Sequence, residues 1–224
     1  MTDFRLTRRT AFLAGASLPF VGALAPAAHA AAGMLGAAQA PFHRFKLGDF
    51  EVTALLAGTR VSDKPQETFG LNATPDEFKS LAEANFLPAD KTRNFFTPTL
   101  VNTGTELVLF DTGLAPEGIT SALAAAGYTP DQVDVVVLTH MHGDHIGGLM
   151  GADGTTSTFA NARYVTGAAE HNHWSGAANE GFDKNVRPLN DKFTFLDDGG
   201  AVVSGITAMA AMKDFLATGE DITR

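Results

Sequence analysis

The run Val133-Asp134-Val135-Val136-Val137-Leu138-Thr139 constrains this chain more than any other feature, because His140-Met141-His142-Gly143-Asp144-His145 is attached directly to its end. A short, nearly continuous apolar run of β-branched residues reads as a strand covered on both faces. Layered α/β folds collect ligands at the carboxyl ends of such strands. The chain has seven histidines, and three of them fall in this one loop. His140 and His142 stand at i and i+2, so in extended backbone their imidazoles project to one side and both reach one cation. Asp144 and His145 follow closely enough to serve a second. Imidazole and carboxylate at this density suit zinc, with iron or manganese less well matched. Gly143 is expected to permit the tight backbone path between them. A polar surface loop explains a lone histidine, but not three with an aspartate at the end of a buried strand.

Around this loop the chain punctuates itself clearly. Phe42–Leu47 and Phe50–Leu56 read as a hairpin turning at Gly48-Asp49. Thr74-Pro75-Asp76-Glu77 is a capped helix start in the less regular stretch 58–96, a segment placed to overhang a site. Thr99–Asn102 and Glu106–Thr112 flank the turn Thr103-Gly104-Thr105, and 118–126 reads as a short helix ending at Gly127. Ala162–Val165 is a short strand and Ala168–Trp174 is helical. Phe193–Leu196 and Ala201–Val203 read as an antiparallel pair joined by Asp197–Gly200. With no βαβ rhythm evident, packed sheets with outer helices are expected. Gly147-Gly148 reads as turn chemistry. Phe95, Phe96 and Trp174 are candidates for an apolar pocket wall, although core packing accounts for them equally well.

The first thirty residues are expected to be removed. Arg8-Arg9 precede an apolar run broken by Pro26, and Ala28-His29-Ala30 offers small residues at a cleavage site. That is the layout of a twin-arginine-type export signal, with a periplasmic or secreted destination and no membrane association after cleavage. Residues 31–41 follow as a flexible leader, and 42–224 as the folded domain. Arg5, Arg8 and Arg9 stand against Asp3 in the signal, so its removal takes the net charge from −9 to −11. An acidic chain has no electrostatic footprint for a phosphate backbone, which argues against a nucleic-acid partner. The absence of cysteine rules out both thiolate ligands and disulfides.

His140-Met141-His142-Gly143-Asp144-His145, with Asp111-Thr112-Gly113 upstream, resembles the His-x-His-x-Asp-His signature of the metallo-β-lactamase superfamily. The likeness runs from about Phe42 to Ala211 and is nearest to exported members similar to acyl-homoserine lactonases and methyl-parathion-type hydrolases. It implies an α/β fold, the αββα sandwich of two packed mixed sheets with outer helices. It further implies that His140 and His142 hold one metal and Asp144 and His145 another. Two zinc ions about 3.5–4 Å apart would share a hydroxide that attacks an ester, lactone or phosphotriester. Asp144 is then both ligand and the orienter of the attacking oxygen, and Asp111 supports a ligand imidazole.

The pattern diverges after Ala211. The family supplies a third histidine for the first metal, a bridging aspartate and a last histidine, whereas no histidine follows His173 here. His171, His173 and Asp214 are the replacements on offer. A chain altered or truncated there is expected to leave apolar sheet face and a strand edge for a partner to cover, a homodimer being one way. Two alternatives accompany the hydrolase. One is a non-catalytic member that binds metal weakly, and the other is an iron-dependent redox member of the same fold.

Overall fold

The computed structural model describes residues 38–209, together with Met34 and Gly36. The expected export signal and the segment from residue 210, Asp214 included, lie outside the described residues. The strands and helices all belong to the unit that begins at Gln39.

Strands β1 (Phe42–Leu47) and β2 (Phe50–Leu55) form the expected hairpin, with Leu47 opposite Phe50 across Gly48-Asp49. Gly48 takes φ 61°, the left-handed turn conformation that glycine adopts without strain. Strands β3 (Gly58–Asp63) and β4 (Lys91–Phe96) pair with each other in a separate two-stranded sheet. Between them lies helix α1 (Pro75–Ala84), opened by a capping box in which Thr74 and Glu77 satisfy each other's backbone N–H groups. Strands β5 (Thr99–Asn102) and β6 (Leu107–Phe110) are the second expected hairpin.

From β6 onward the chain alternates strand and helix. Helix α2 (Pro116–Ala125) leads to β7 (Val135–Val137), the four-residue helix α3 (Gly143–Ile146) to β8 (Arg163–Gly167), and helices α4 (Ala168–Gly176) and α5 (Glu180–Asn185) to β9 (Phe193–Leu196). The resulting seven-stranded sheet runs β1-β2-β5-β6-β7-β8-β9, antiparallel as far as β6 and parallel from β6 to β9. This corrects two expectations. A βαβ rhythm is present, concealed because one crossover contains the metal loop and only a single turn of helix. Phe193–Leu196 does not pair with Ala201–Val203. It lies parallel to β8, with Val165 opposite Thr194, while β10 (Ala201–Val203) turns back on β11 (Ile206–Thr207).

Strand alternation sorts side chains by size. Leu55, Leu100, Leu109, Val136 and Tyr164 face the helices, where Ile119, Leu123, Ile146 and Phe182 meet them in the larger core. Val52, Val101, Val108, Val135 and Val165 face the other way and pack under Val202 and Val203 of the small hairpin. Each fully buried aliphatic side chain contributes roughly 1.5–3 kcal/mol, so the sheet is held from both faces. The cover on both faces expected of the Val133–Thr139 run is present at Val135 and Val136, each 0% exposed, and Val108 is buried with them. The fold is therefore α/β, a mixed sheet with helices on one side and a small hairpin on the other.

Candidate metal centre

Parallel pairing sets the carboxyl ends of β6, β7 and β8 side by side. Phe110 stands opposite Val137, and Val137 opposite Val165. The residues that leave these strands, Asp111, Leu138–Thr139 and Thr166–Gly167, are therefore neighbours. Asp111 takes φ 61°, a left-handed conformation that L side chains adopt only when something holds them there. What holds it is a set of hydrogen bonds. The Asp111 backbone N–H donates to the Val137 carbonyl at 2.9 Å, and its Oδ1 accepts from the Thr139 N–H at 2.9 Å. Asp111 Oδ2 accepts from the Thr139 hydroxyl at 2.8 Å and lies 2.9 Å from His145 Nδ1.

One carboxylate thus fixes both ends of the His-rich loop. With Nδ1 of His145 turned to Asp111, its Nε2 is the nitrogen left for a ligand role. The Thr139 hydroxyl, its proton committed to Asp111, also lies 3.1 Å from His140 Nδ1 and orients that ring in the same sense. Asp111 thus supports the imidazole of His145, one of the residues expected from sequence to serve as a ligand.

The four anticipated ligands come together at this strand end. The His140 and His145 rings are 3.7 Å apart between centroids, and those of His140 and His142 are 4.8 Å apart, edge to face. Asp144 Oδ2 lies 3.6 Å from His145 Nε2. Burial, followed by the neighbouring imidazoles His145 and His142, pushes the His140 pKa below its ordinary value. That favours the neutral form a ligand requires. For His145, burial acts downward, but the hydrogen bond and charge of Asp111, with the charge of Asp144, outweigh it and leave the pKa raised.

By donor type the cluster fits zinc: imidazoles with their inner nitrogens tied by a carboxylate or a hydroxyl, and an adjacent carboxylate. By geometry the fit is partial. Among the described residues, no three His, Asp or Glu side chains are disposed to close around one ion. Completing a site takes a rearrangement of this loop or donors beyond the described residues. His171 and His173 do not supply them. His171 Nε2 lies 3.1 Å from Asn190 Oδ1, with its ring against Phe195, and His173 stands edge-on to Trp174.

Several participants escape sequence reasoning. Glu170, buried in the first turn of α4, accepts from the Met141 N–H at 2.9 Å and from Trp174 Nε1 at 2.6 Å. Thr112 Oγ1 donates to the His145 carbonyl and accepts from the Gly148 N–H, tying α3 to the end of β6. The glycines divide differently from expectation. Gly143 has open space around its Cα, so no tight path requires it. Neither Gly147 nor Gly148 has a positive φ, and both are needed for close approach to backbone at Leu114 and Thr112. Beside His140 opens a cavity of about 750 Å³, walled by Phe110, Val137, Val165, Leu196, Ile206 and Met209. Phe95 and Phe96 are not among its lining residues. Phe95 is half exposed on β4, and Phe96 packs under Arg60.

The sequence profile of the Metallo-beta-lactamase superfamily matches residues 97–207. No curated protein matches the chain. Among solved structures, the chain is similar to AidC, a dizinc quorum-quenching lactonase solved with the product N-hexanoyl-L-homoserine. The two share 23% identity at a TM-score of 0.64, over 73% of this chain and 63% of that one. The hydrolase AbOPH of the beta-lactamase superfamily is similar at 23% identity and a TM-score of 0.63, covering 76% and 65%. A probable metal-dependent hydrolase from Staphylococcus aureus gives 23% and 0.59, covering 72% and 64%. Likeness at this level establishes a shared fold, and the chain spans 63–65% of the length of these three proteins.

Proposed function

We propose that this chain, a member of the metallo-beta-lactamase superfamily through residues 97–207, is a zinc-dependent hydrolase of small esters, lactones or phosphotriesters. The observation that carries the proposal is the convergence of His140, His142, Asp144 and His145 at one strand end, with His145 oriented by the Asp111 carboxylate. The assignment gives His140 and His142 to one ion and Asp144 and His145 to a second. Bound zinc supplies Lewis acidity toward a carbonyl or phosphoryl group and brings the pKa of water toward neutrality.

The protein's own contribution is orientation. Asp111 and Thr139 fix the two outer imidazoles. On this reading Asp144, partly exposed beside His145, accepts a hydrogen bond from an attacking oxygen and so directs it. The cavity beside His140 offers apolar wall to a substrate's non-reacting part, with Thr139 and Asp197 as polar groups among its lining. The dizinc lactonase similarity supports both the metal and the substrate class.

A second reading rests on a specific observation, that no three donors close around one ion among the described residues. On that reading the chain keeps the loop but binds metal weakly and does not turn over. Elemental analysis of the gel-filtered chain decides between them. About two zinc per chain, with hydrolysis of a lactone or a phosphotriester, supports the hydrolase. Metal well below one per chain with no turnover removes it, and stoichiometric iron redirects it to redox chemistry. Export through the Arg8-Arg9 segment belongs to the same proposal. N-terminal sequencing of protein recovered outside the cytoplasm is expected to begin after Ala30, and an intact Met1 terminus there argues against cleavage.

A further inference from the structure

Residue 141 lies between the two histidines, so whatever fixes it fixes both. Its side chain is anchored: Met141 is 1% exposed and belongs to the larger core. Its backbone N–H lies outside any strand or helix and needs an acceptor. That acceptor is Glu170 Oε1, at 2.9 Å, from an element 29 residues away in sequence. The same oxygen accepts from the Trp174 indole at 2.6 Å, one helical turn further along α4. Trp174 then stands edge-on to the His142 ring, with centroids 5.5 Å apart.

A glutamate in the first turn of a helix ordinarily serves the helix's own free N–H groups. Here the residue is 8% exposed and both of its carboxylate's bonds run outward, one to the loop and one to the indole. We propose that Glu170 and Trp174 form a brace that positions His140 and His142 for an ion, Glu170 through the Met141 backbone and Trp174 through its perpendicular ring contact with His142. This rests on the metal-binding reading above. Both are positioning residues, since neither is required to touch ion or substrate.

Because both hydrogen bonds fall on one oxygen, charge and position separate cleanly by substitution. Glu170→Gln keeps an acceptor at Oε1 and loses the charge. Glu170→Asp keeps the charge and withdraws the oxygen by one methylene. The brace predicts that E170D weakens zinc affinity about 10- to 100-fold, the range typical of partners that orient metal ligands, while E170Q stays within about threefold of wild type. The measurement is zinc titration of the full chain in competition with a chromophoric chelator. Trp174, the chain's single tryptophan, gives a second readout through its emission. A merely structural glutamate lowers the melting temperature of E170D but leaves the affinity of the folded protein unchanged, and that result overturns the brace. The reverse order, with E170Q impaired and E170D normal, overturns it in favour of a purely electrostatic role. A wild-type chain that takes up no zinc sinks the metal reading itself, a failure distinct from either.

Discussion

Replacing Gly148 with alanine tests how α3 is held over the strand ends. A Cβ at this position falls 2.4 Å from the Thr112 carbonyl oxygen, 2.9 Å from Ile119 Cγ2 and 3.1 Å from Thr112 Cβ. Those separations lie well inside the roughly 3.5–4.0 Å at which carbon atoms attract. The nearest obstruction is backbone of a buried residue, not the far end of a flexible side chain, so α3 itself must move. Overpacking of this kind costs about 1–3 kcal/mol, and the rigid obstruction places it near the top of that range. The shift also breaks the 3.1 Å bond from the Gly148 N–H to Thr112 Oγ1, worth about 1 kcal/mol more. A total near 3–4 kcal/mol corresponds to a fall in Tm of roughly 6–16 °C for a domain of this size. On the proposed metal-binding reading, zinc affinity falls with it, because Asp144 and His145 ride on α3. The assay is thermal and urea unfolding of the metal-free chain, with Gly143→Ala as the control. That position has open space, and alanine there changes stability by no more than about 1 kcal/mol. A Gly148→Ala protein within about 0.5 kcal/mol of wild type would refute the close-approach argument and return Gly148 to ordinary turn chemistry.

Buried polar groups give two further outcomes. Thr112→Val leaves the buried Gly148 N–H without its partner and removes the hydroxyl bond to the His145 carbonyl, lowering stability by about 2 kcal/mol in urea titration, whereas Thr112→Ser retains both bonds; equal stability of the valine variant argues against the tether. Burial raises the pKa of the Tyr164 phenol, and its hydrogen bond with Ser157 only partly opposes the shift. The folded state thus holds this proton more tightly than the unfolded chain, whose tyrosine ionises near pH ~10. This contribution is complete below about pH 10 and is lost as pH rises toward the folded-state value. Urea midpoints between about pH 9 and 11 should fall more steeply for wild type than for Tyr164→Phe, and parallel curves would count against it.

What is legible in the sequence, and what is not, divides along the range of the interactions. Elements whose signals are local, such as the Gly48-Asp49 hairpin, the Thr74–Glu77 box and the Gly127 helix end, lie where residue type places them. The clustering of the His-rich loop is legible for the same reason, since close spacing in sequence leaves the His140 and His142 rings 4.8 Å apart. Strand β9 is misread from sequence because Asp197–Gly200 carries strong turn chemistry, which suggests a local hairpin. Its actual partner, β8, is reached only through α4 and α5, and a crossover leaves no mark on the pairing residues themselves.

The same reasoning explains why Glu170 is invisible in the sequence and Asp111 is not. Asp111 ends a strand adjacent to the ligand strand, so its motif and its role arise from one short parallel pairing. Glu170 acts on a backbone N–H, and a backbone N–H has no residue type by which a sequence can announce its partner. The i, i+4 spacing of Glu170 and Trp174 is there to be read, but an acid four residues before a tryptophan is ordinary on any half-buried helix. It becomes informative only once β8 is known to deliver α4 beneath residues 140–142. The candidate ligands are thus grouped locally and their supports are reached non-locally. On the proposed reading, change in the supports can therefore impair metal binding while the His-x-His-x-Asp-His loop stays intact, so the loop alone does not certify a working site.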